Sequence, residues 1–255
     1  MESYVNCVAA IVEAATEPMR GVAHSRGGLV LTALAERCPE KISSAVYLAA
    51  VLLQNGQTVF EIADRAEGSL ILPNMVMAED KSWDMLREEA FDEALYADCS
   101  PEDIALCHAL LTREPLAPSL TPTQTTAARF GSVHKVSIEL LEDRAVTPPW
   151  QRFMHGAVPC DEIRSIVASH SAYFSKAGEL AAHIDEIARA VDLRAALTYD
   201  LVLSQHPPRG VVREFGRAGE IEFGFNALAV GIDGTGAEMQ RRGNLAARQS
   251  RAQVT

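Results

Sequence analysis

Apolar residues recur at helical spacing through residues 4–15, at Val5, Val8, Ile11 and Val12, so the chain opens on an amphipathic helix. The run Met19-Arg20-Gly21-Val22-Ala23 reads as a short buried strand, and residues 27–38 return to helical period with Leu29, Val30, Ala33 and Leu34 before Pro39 stops them. Residues 43–49 form a second apolar run, at the distance a parallel crossover through one helix requires. Strand rhythm then lapses over about residues 53–129. Two acidic helices are predicted there, one over 82–96 and one over 100–111, the second with Ser100 as N-cap and Pro101 at the first helical position. A helical insertion between strands of an α/β sheet is where a lid over a pocket would sit. Beyond it come a strand over 135–140, a helix start at Thr147-Pro148-Pro149, a strand over 163–167 and a helix over about 176–191. The alternation predicts an α/β fold built on a mostly parallel sheet.

After Val191 the character changes: no Lys occurs, Arg and Gly recur (Arg209, Gly210, Arg213, Gly216, Arg217, Gly219), and strand-like fragments stand at 211–215 and 221–230. The expected organisation is a core over 1–190 with its lid at about 53–129, and an extension over 191–255 of unassigned role. The polar end from Arg241 is expected to be partly disordered.

Composition narrows the function classes. With 48% hydrophobic residues, the chain is globular. A formal net charge of −11 disfavours a nucleic-acid partner or an anionic membrane surface. Five scattered cysteines without C-x-x-C spacing point to free thiols rather than a disulfide frame or a zinc site, and to the cytoplasm. No uncharged apolar run is long enough for a membrane span. No cofactor or metal is expected.

The sharpest chemical signal is Ala23-His24-Ser25-Arg26-Gly27-Gly28, between a predicted strand and a predicted helix. A nucleophile elbow of the G-x-S-x-G kind needs small residues two before and two after the serine, where its tight turn has no room for side chains. Such a turn lifts the Ser25 hydroxyl above the strand end and aims the Arg26 N–H and the helix N-terminus at a developing oxyanion. The alternatives are a structural tight turn and a phosphate-cradling loop. A serine nucleophile needs a base, and the base needs a carboxylate to hold its tautomer. Asp143 follows the strand at 135–140, and His170 follows the strand at 163–167. Glu142 and Glu139 are rivals for the acid, although Glu139 belongs to the strand itself. Among seven histidines, only His170 lies in a loop directly after a strand and before the last core helix. His24 is expected to turn away from the nucleophile and serve packing, and His206 stands before Pro207-Pro208 in the extension.

These segments, with Val46-Tyr47-Leu48-Ala49, Glu142-Asp143-Arg144-Ala145-Val146, Ser169-His170-Ser171 and Glu179-Leu180-Ala181, resemble the α/β-hydrolase branch of plant-type methyl esterases, hydroxynitrile lyases and bacterial esterase-like proteins. The likeness spans about residues 4–190. It implies Ser25 as nucleophile, Asp143 as acid, His170 as base and the Arg26 N–H as oxyanion donor. Chains of that branch begin with a further strand and a His-Gly loop that completes the oxyanion hole, so this chain is expected to be N-terminally truncated, its front strands missing. Losing one oxyanion donor costs on the order of 100- to 1,000-fold in rate. It also leaves a sheet edge open to a second copy of the chain. Hydroxynitrile lyases of this branch carry Lys after the base, where this chain has Ser171. The expectation is therefore hydrolysis of a small carboxylic ester. The rival is an inactive hydrolase-like fragment that binds a ligand or partner.

Overall fold

The computed structural model describes residues 1–205. In chain order its helices and strands are α1 (Glu2–Ala14), β1 (Met19–His24), α2 (Gly27–Arg37), β2 (Ile42–Leu48), α3 (Ile71–Asn74), β3 (Met75–Met77), β4 (Trp83–Leu86), α4 (Phe91–Leu95), α5 (Pro101–Leu110), β5 (Glu114–Pro115), α6 (Ala117–Leu120), β6 (Lys135–Leu140), α7 (Pro148–Ala157), β7 (Glu162–Ile166), α8 (Ala172–Ser175) and α9 (Ala177–Gln205), joined by short 3-10 turns.

Four strands make one parallel sheet in the order β1-β2-β6-β7. Strand alternation sends neighbouring residues of β2 into different apolar clusters. Ala45 and Tyr47 pack with Val5, Ala9 and Val12 of α1, Leu31 and Leu34 of α2, and Trp150 and Met154 of α7. Val46 and Leu48 pack with Val136, Ile138 and Leu140 of β6 and with Leu180 and Ile187 of α9. Every residue of β6 is buried, whereas β1 lies on an edge of the sheet, with Met19 37% and Val22 45% exposed.

The insertion between β2 and β6 is not wholly helical. Where a single helix is expected over 82–96, the chain instead makes β4, a 3-10 turn at Glu88–Ala90 and the short α4. Strand β4 pairs antiparallel with β3 and β5. The period misleads here because Trp83, Met85 and Leu86 suit a half-buried strand as well as a helix face, and partners far along the chain settle the choice. The helix expected from Ser100 does form: the Ser100 hydroxyl accepts from the Asp103 N–H, and Pro101 leads α5. Helix α9 runs unbroken through the core boundary expected at 190, to Gln205. The strand fragments and polar end expected in the extension lie outside the described residues.

Candidate active site

Ser25 follows the last residue of β1 and precedes α2. Its φ is +52°, a left-handed conformation that side chains other than glycine seldom adopt. Two N–H groups hold that turn, since the Ser25 carbonyl accepts from Gly28 N (3.2 Å) and from Val51 N (2.9 Å). The steric demand sits one residue later than the elbow pattern suggests. A Cβ on Gly27 would stand 3.7 Å from the Ala23 Cβ, an ordinary contact, but one on Gly28 would stand 2.1 Å from the Val51 carbonyl oxygen. Gly28 is thus required by the loop after β2. The Arg26 N–H, at the N-cap of α2, has no hydrogen-bond partner among the described residues.

The loop after β6 carries Asp143. One carboxylate oxygen accepts from the N–H groups of Ala145 (2.7 Å) and Val146 (2.9 Å), which fixes the side chain in a local turn. The other lies 2.7 Å from His170 Nδ1, so the ring donates there and leaves Nε2 as its base nitrogen. Side-chain exposure is 4% for His170 and 0% for Asp143, and low-dielectric burial strengthens the pair. Of the rival acids, Glu139 is spent on His155 (2.8 Å) and Arg152 (3.3 Å). Asp143 and His170 are therefore brought together as expected. Ser25 makes no hydrogen bond to the His170 ring among the described residues.

The His24 ring packs against the His170 ring, tilted at 49° with centroids 4.3 Å apart, and places Nε2 2.8 Å from the His170 carbonyl oxygen. Burial and the neighbouring His170 push the His24 pKa well below the usual histidine value, although the carbonyl contact pulls the other way. The ring is neutral at pH 7, and Nε2 is the donor because a carbonyl only accepts. The sequence signal was there, as the residue beside a nucleophile shares its turn, but the meeting with His170, 146 residues further on, is a tertiary matter.

Sequence reasoning also missed a set of carboxylates from the insertion. Asp84 of β4, itself buried, takes the Arg26 guanidinium in a two-pronged pair (2.7 and 2.6 Å), and Glu114 of β5 adds a contact at 3.1 Å. Burial works against the Arg26 charge, but these carboxylates more than offset it and raise its pKa. Asp98, just before α5, accepts from the Ser169 N–H (3.1 Å) and from the Ser169 hydroxyl. Isolated acidic residues in an insertion carry no pattern that would mark them. The five cysteines are free thiols, and among the described residues no group of three or more His, Cys, Asp or Glu side chains is placed to hold a metal ion.

No family model matches the chain. It is 32% identical over 179 residues to salicylic acid-binding protein 2 of Nicotiana tabacum, an alignment covering 66% of this chain and 69% of that one. It is 30% identical over 182 residues to a putative chloroplastic methylesterase, number 11, of Arabidopsis thaliana, covering 66% of this chain and 45% of that one. The chain belongs to the methylesterase branch of the α/β-hydrolases. It spans about half the length of the Arabidopsis methylesterases that it matches. Among solved structures, the pyrethroid hydrolase of Sphingobium faniae JZ-2 superposes with a TM-score of 0.65 at 25% identity, over 74% of this chain and 78% of that one. This α/β-hydrolase thus keeps its branch's fold in the sheet, and the loops after β1, β6 and β7 carry Ser25, Asp143 and His170.

Proposed function

We propose that this chain hydrolyses small carboxylic esters, with Ser25 as nucleophile, His170 as base and then acid, Asp143 as the group that orients His170, and the Arg26 N–H as oxyanion donor. The observation that carries the reading is the buried Asp143–His170 pair at 2.7 Å, together with a serine held at φ +52° after β1 of the same sheet. In the acylation step Ser25 Oγ attacks the ester carbonyl carbon and passes its proton to His170 Nε2. The C–O bond to the alcohol then breaks, and the departing oxygen takes that proton. Water repeats the sequence on the acyl-enzyme: it gives one proton to His170 and releases the acid, and Ser25 is reprotonated. The methylesterase names of the relatives support methyl esters as the substrate class. The exposed edge at β1, with Met19 and Val22, is where a second copy of the chain would pair.

A second reading, a chain that binds but does not turn over, is favoured by one observation, the lack of a hydrogen bond between Ser25 and the His170 ring. A fluorophosphonate separates the two. Ser25 Oγ displaces fluoride from phosphorus, its proton going to His170, and leaves a stable adduct measurable by mass. Labelling of folded wild-type protein on Ser25, absent in Ser25→Ala, is the expected result. A folded sample that stays unlabelled rejects the hydrolase reading.

A further inference from the structure

The residues expected to carry the chemistry sit on loops at the ends of three parallel strands, and the insertion between β2 and β6 touches two of these loops through charged groups. On the nucleophile side, Asp84 and Glu114, from neighbouring strands of the small antiparallel sheet, hold the guanidinium of Arg26, the residue whose N–H is proposed above as the oxyanion donor. On the base side, Asp98 accepts both the N–H and the hydroxyl of Ser169, the residue before His170. The Cys99 thiol lies 3.9 Å from the Ser171 carbonyl, and Phe174 of α8 packs into the apolar cluster of Phe91, Tyr96 and Cys107 that forms the core of the insertion. His170 is thus bracketed on both sides, at Ser169 and Ser171, by consecutive residues of the insertion.

Burial makes these contacts consequential. Asp84 is 2% exposed, and a buried carboxylate in a two-pronged guanidinium pair has a narrow range of acceptable geometry, so Arg26 cannot drift without leaving a charge unpaired. Burial raises the Asp98 pKa, but the hydrogen bonds from Ser169 outweigh it and hold the carboxyl ionised below its ordinary value. An ionised acceptor aligns a loop more firmly than a neutral one. A lid needs contacts that break easily, whereas these are buried or charge-assisted. A displacement of about 1 Å at a reacting group is enough to cost about 100-fold in rate.

We infer that Asp84 and Asp98 are positioning residues: Asp84 acts through the Arg26 side chain on the oxyanion donor, and Asp98 acts through Ser169 on His170, so that the insertion sets the distance between nucleophile and base. This rests on Ser25, Asp143 and His170 having the roles proposed above. The set of variants Asp98→Ala, Asp98→Asn, Ser169→Ala, Asp84→Ala, Asp84→Asn and Arg26→Lys tests it in the full chain. Readouts are kcat and KM on a p-nitrophenyl ester of a short acid, and the rate of fluorophosphonate labelling at Ser25. The expected result is a fall in kcat and in labelling rate of 10-fold or more for the alanine variants, with KM within about two-fold. The conservative Asn and Lys variants should fall between these and the wild type. Thermal unfolding identifies folded variants, and if Asp84→Ala or Asp98→Ala does not fold, Arg26→Lys and Ser169→Ala still test each arm. Wild-type labelling rates in folded variants, or a KM that rises while kcat holds, would overturn the inference and make the insertion a substrate-binding lid. If wild-type protein itself is not labelled on Ser25, the failure lies in the hydrolase reading.

Discussion

The parallel sheet and the inserted cap are held together by different means. Residues of β2 join two large apolar clusters, one with α1, α2 and α7 and the other with α9, and β6 adds Val136, Ile138 and Leu140 to the second. The cap has strands of two to four residues and a small core around Phe91, Tyr96 and Cys107. Much of what ties it to the sheet is polar: Asp84 to Arg26, Asp98 to Ser169, and the Arg144 guanidinium to Glu93. The sheet carries its stability in burial, so its loops emerge from fixed points. The cap carries less burial, and its contacts fall on those loops. Stability and site geometry are thereby assigned to different regions of one chain.

Matched truncations in the two cores are the strongest test of that division. Ile138→Ala in β6 should cost about 4 kcal/mol, roughly 10 °C in Tm, because Ile138 is wholly buried in the apolar cluster that the sheet shares with α9. Phe91→Ala removes a side chain of similar burial from the cap, and hydrogen exchange should show protection lost over residues 83–111 while Tm falls by much less. Equal losses of Tm would mean that cap and sheet unfold as one unit.

Gly28→Ala probes the join between the nucleophile turn and the loop after β2. The added Cβ would meet the Val51 carbonyl at 2.1 Å, where only backbone can yield, at a cost of about 3 kcal/mol in chemical denaturation. A variant as stable as wild type would show that the turn relaxes freely.

The sheet also carries a pH dependence that the cap should not alter. His24 has a folded-state pKa well below the 6.5 of an ordinary histidine, so between those values the unfolded chain holds the extra proton. That part of the stability is fully present above pH 6.5 and is lost as pH falls below it. His24→Gln keeps a donor for the His170 carbonyl but takes up no proton, so its Tm should fall less on acidification. Parallel Tm curves for the two proteins below pH 6.5 would contradict this assignment.

The smallest effect is expected at the rim of the cap. Glu114 is 55% exposed in its side chain, so Glu114→Gln should change stability by about 0.5 kcal/mol or less, whereas removing the buried Asp84 strands the Arg26 charge. Equal effects at the two positions would show that Arg26 does not distinguish its carboxylates.

The alternation of apolar runs was enough to place β1, α2, β2, β6, α7 and β7, since a parallel strand under helices shows a short run rich in apolar residues and a covering helix must show one apolar face. The candidate residues were legible for a related reason. A serine between small residues at a strand-to-helix turn, an acid after one later strand and a histidine after the next are all local patterns, and the structure brings Asp143 and His170 to 2.7 Å. Other features had no local pattern to betray them. Residues 83–86 form a strand because β3 and β5 flank them, and cross-strand partners outweigh a short helical period. His24 turned toward His170, and Asp84 and Asp98 met Arg26 and Ser169 across 58 and 71 residues of chain. The sequence by itself determined which residues could react and at the ends of which strands. Only the tertiary structure decided what holds them, because a hydrogen bond between distant residues leaves no periodicity in either segment.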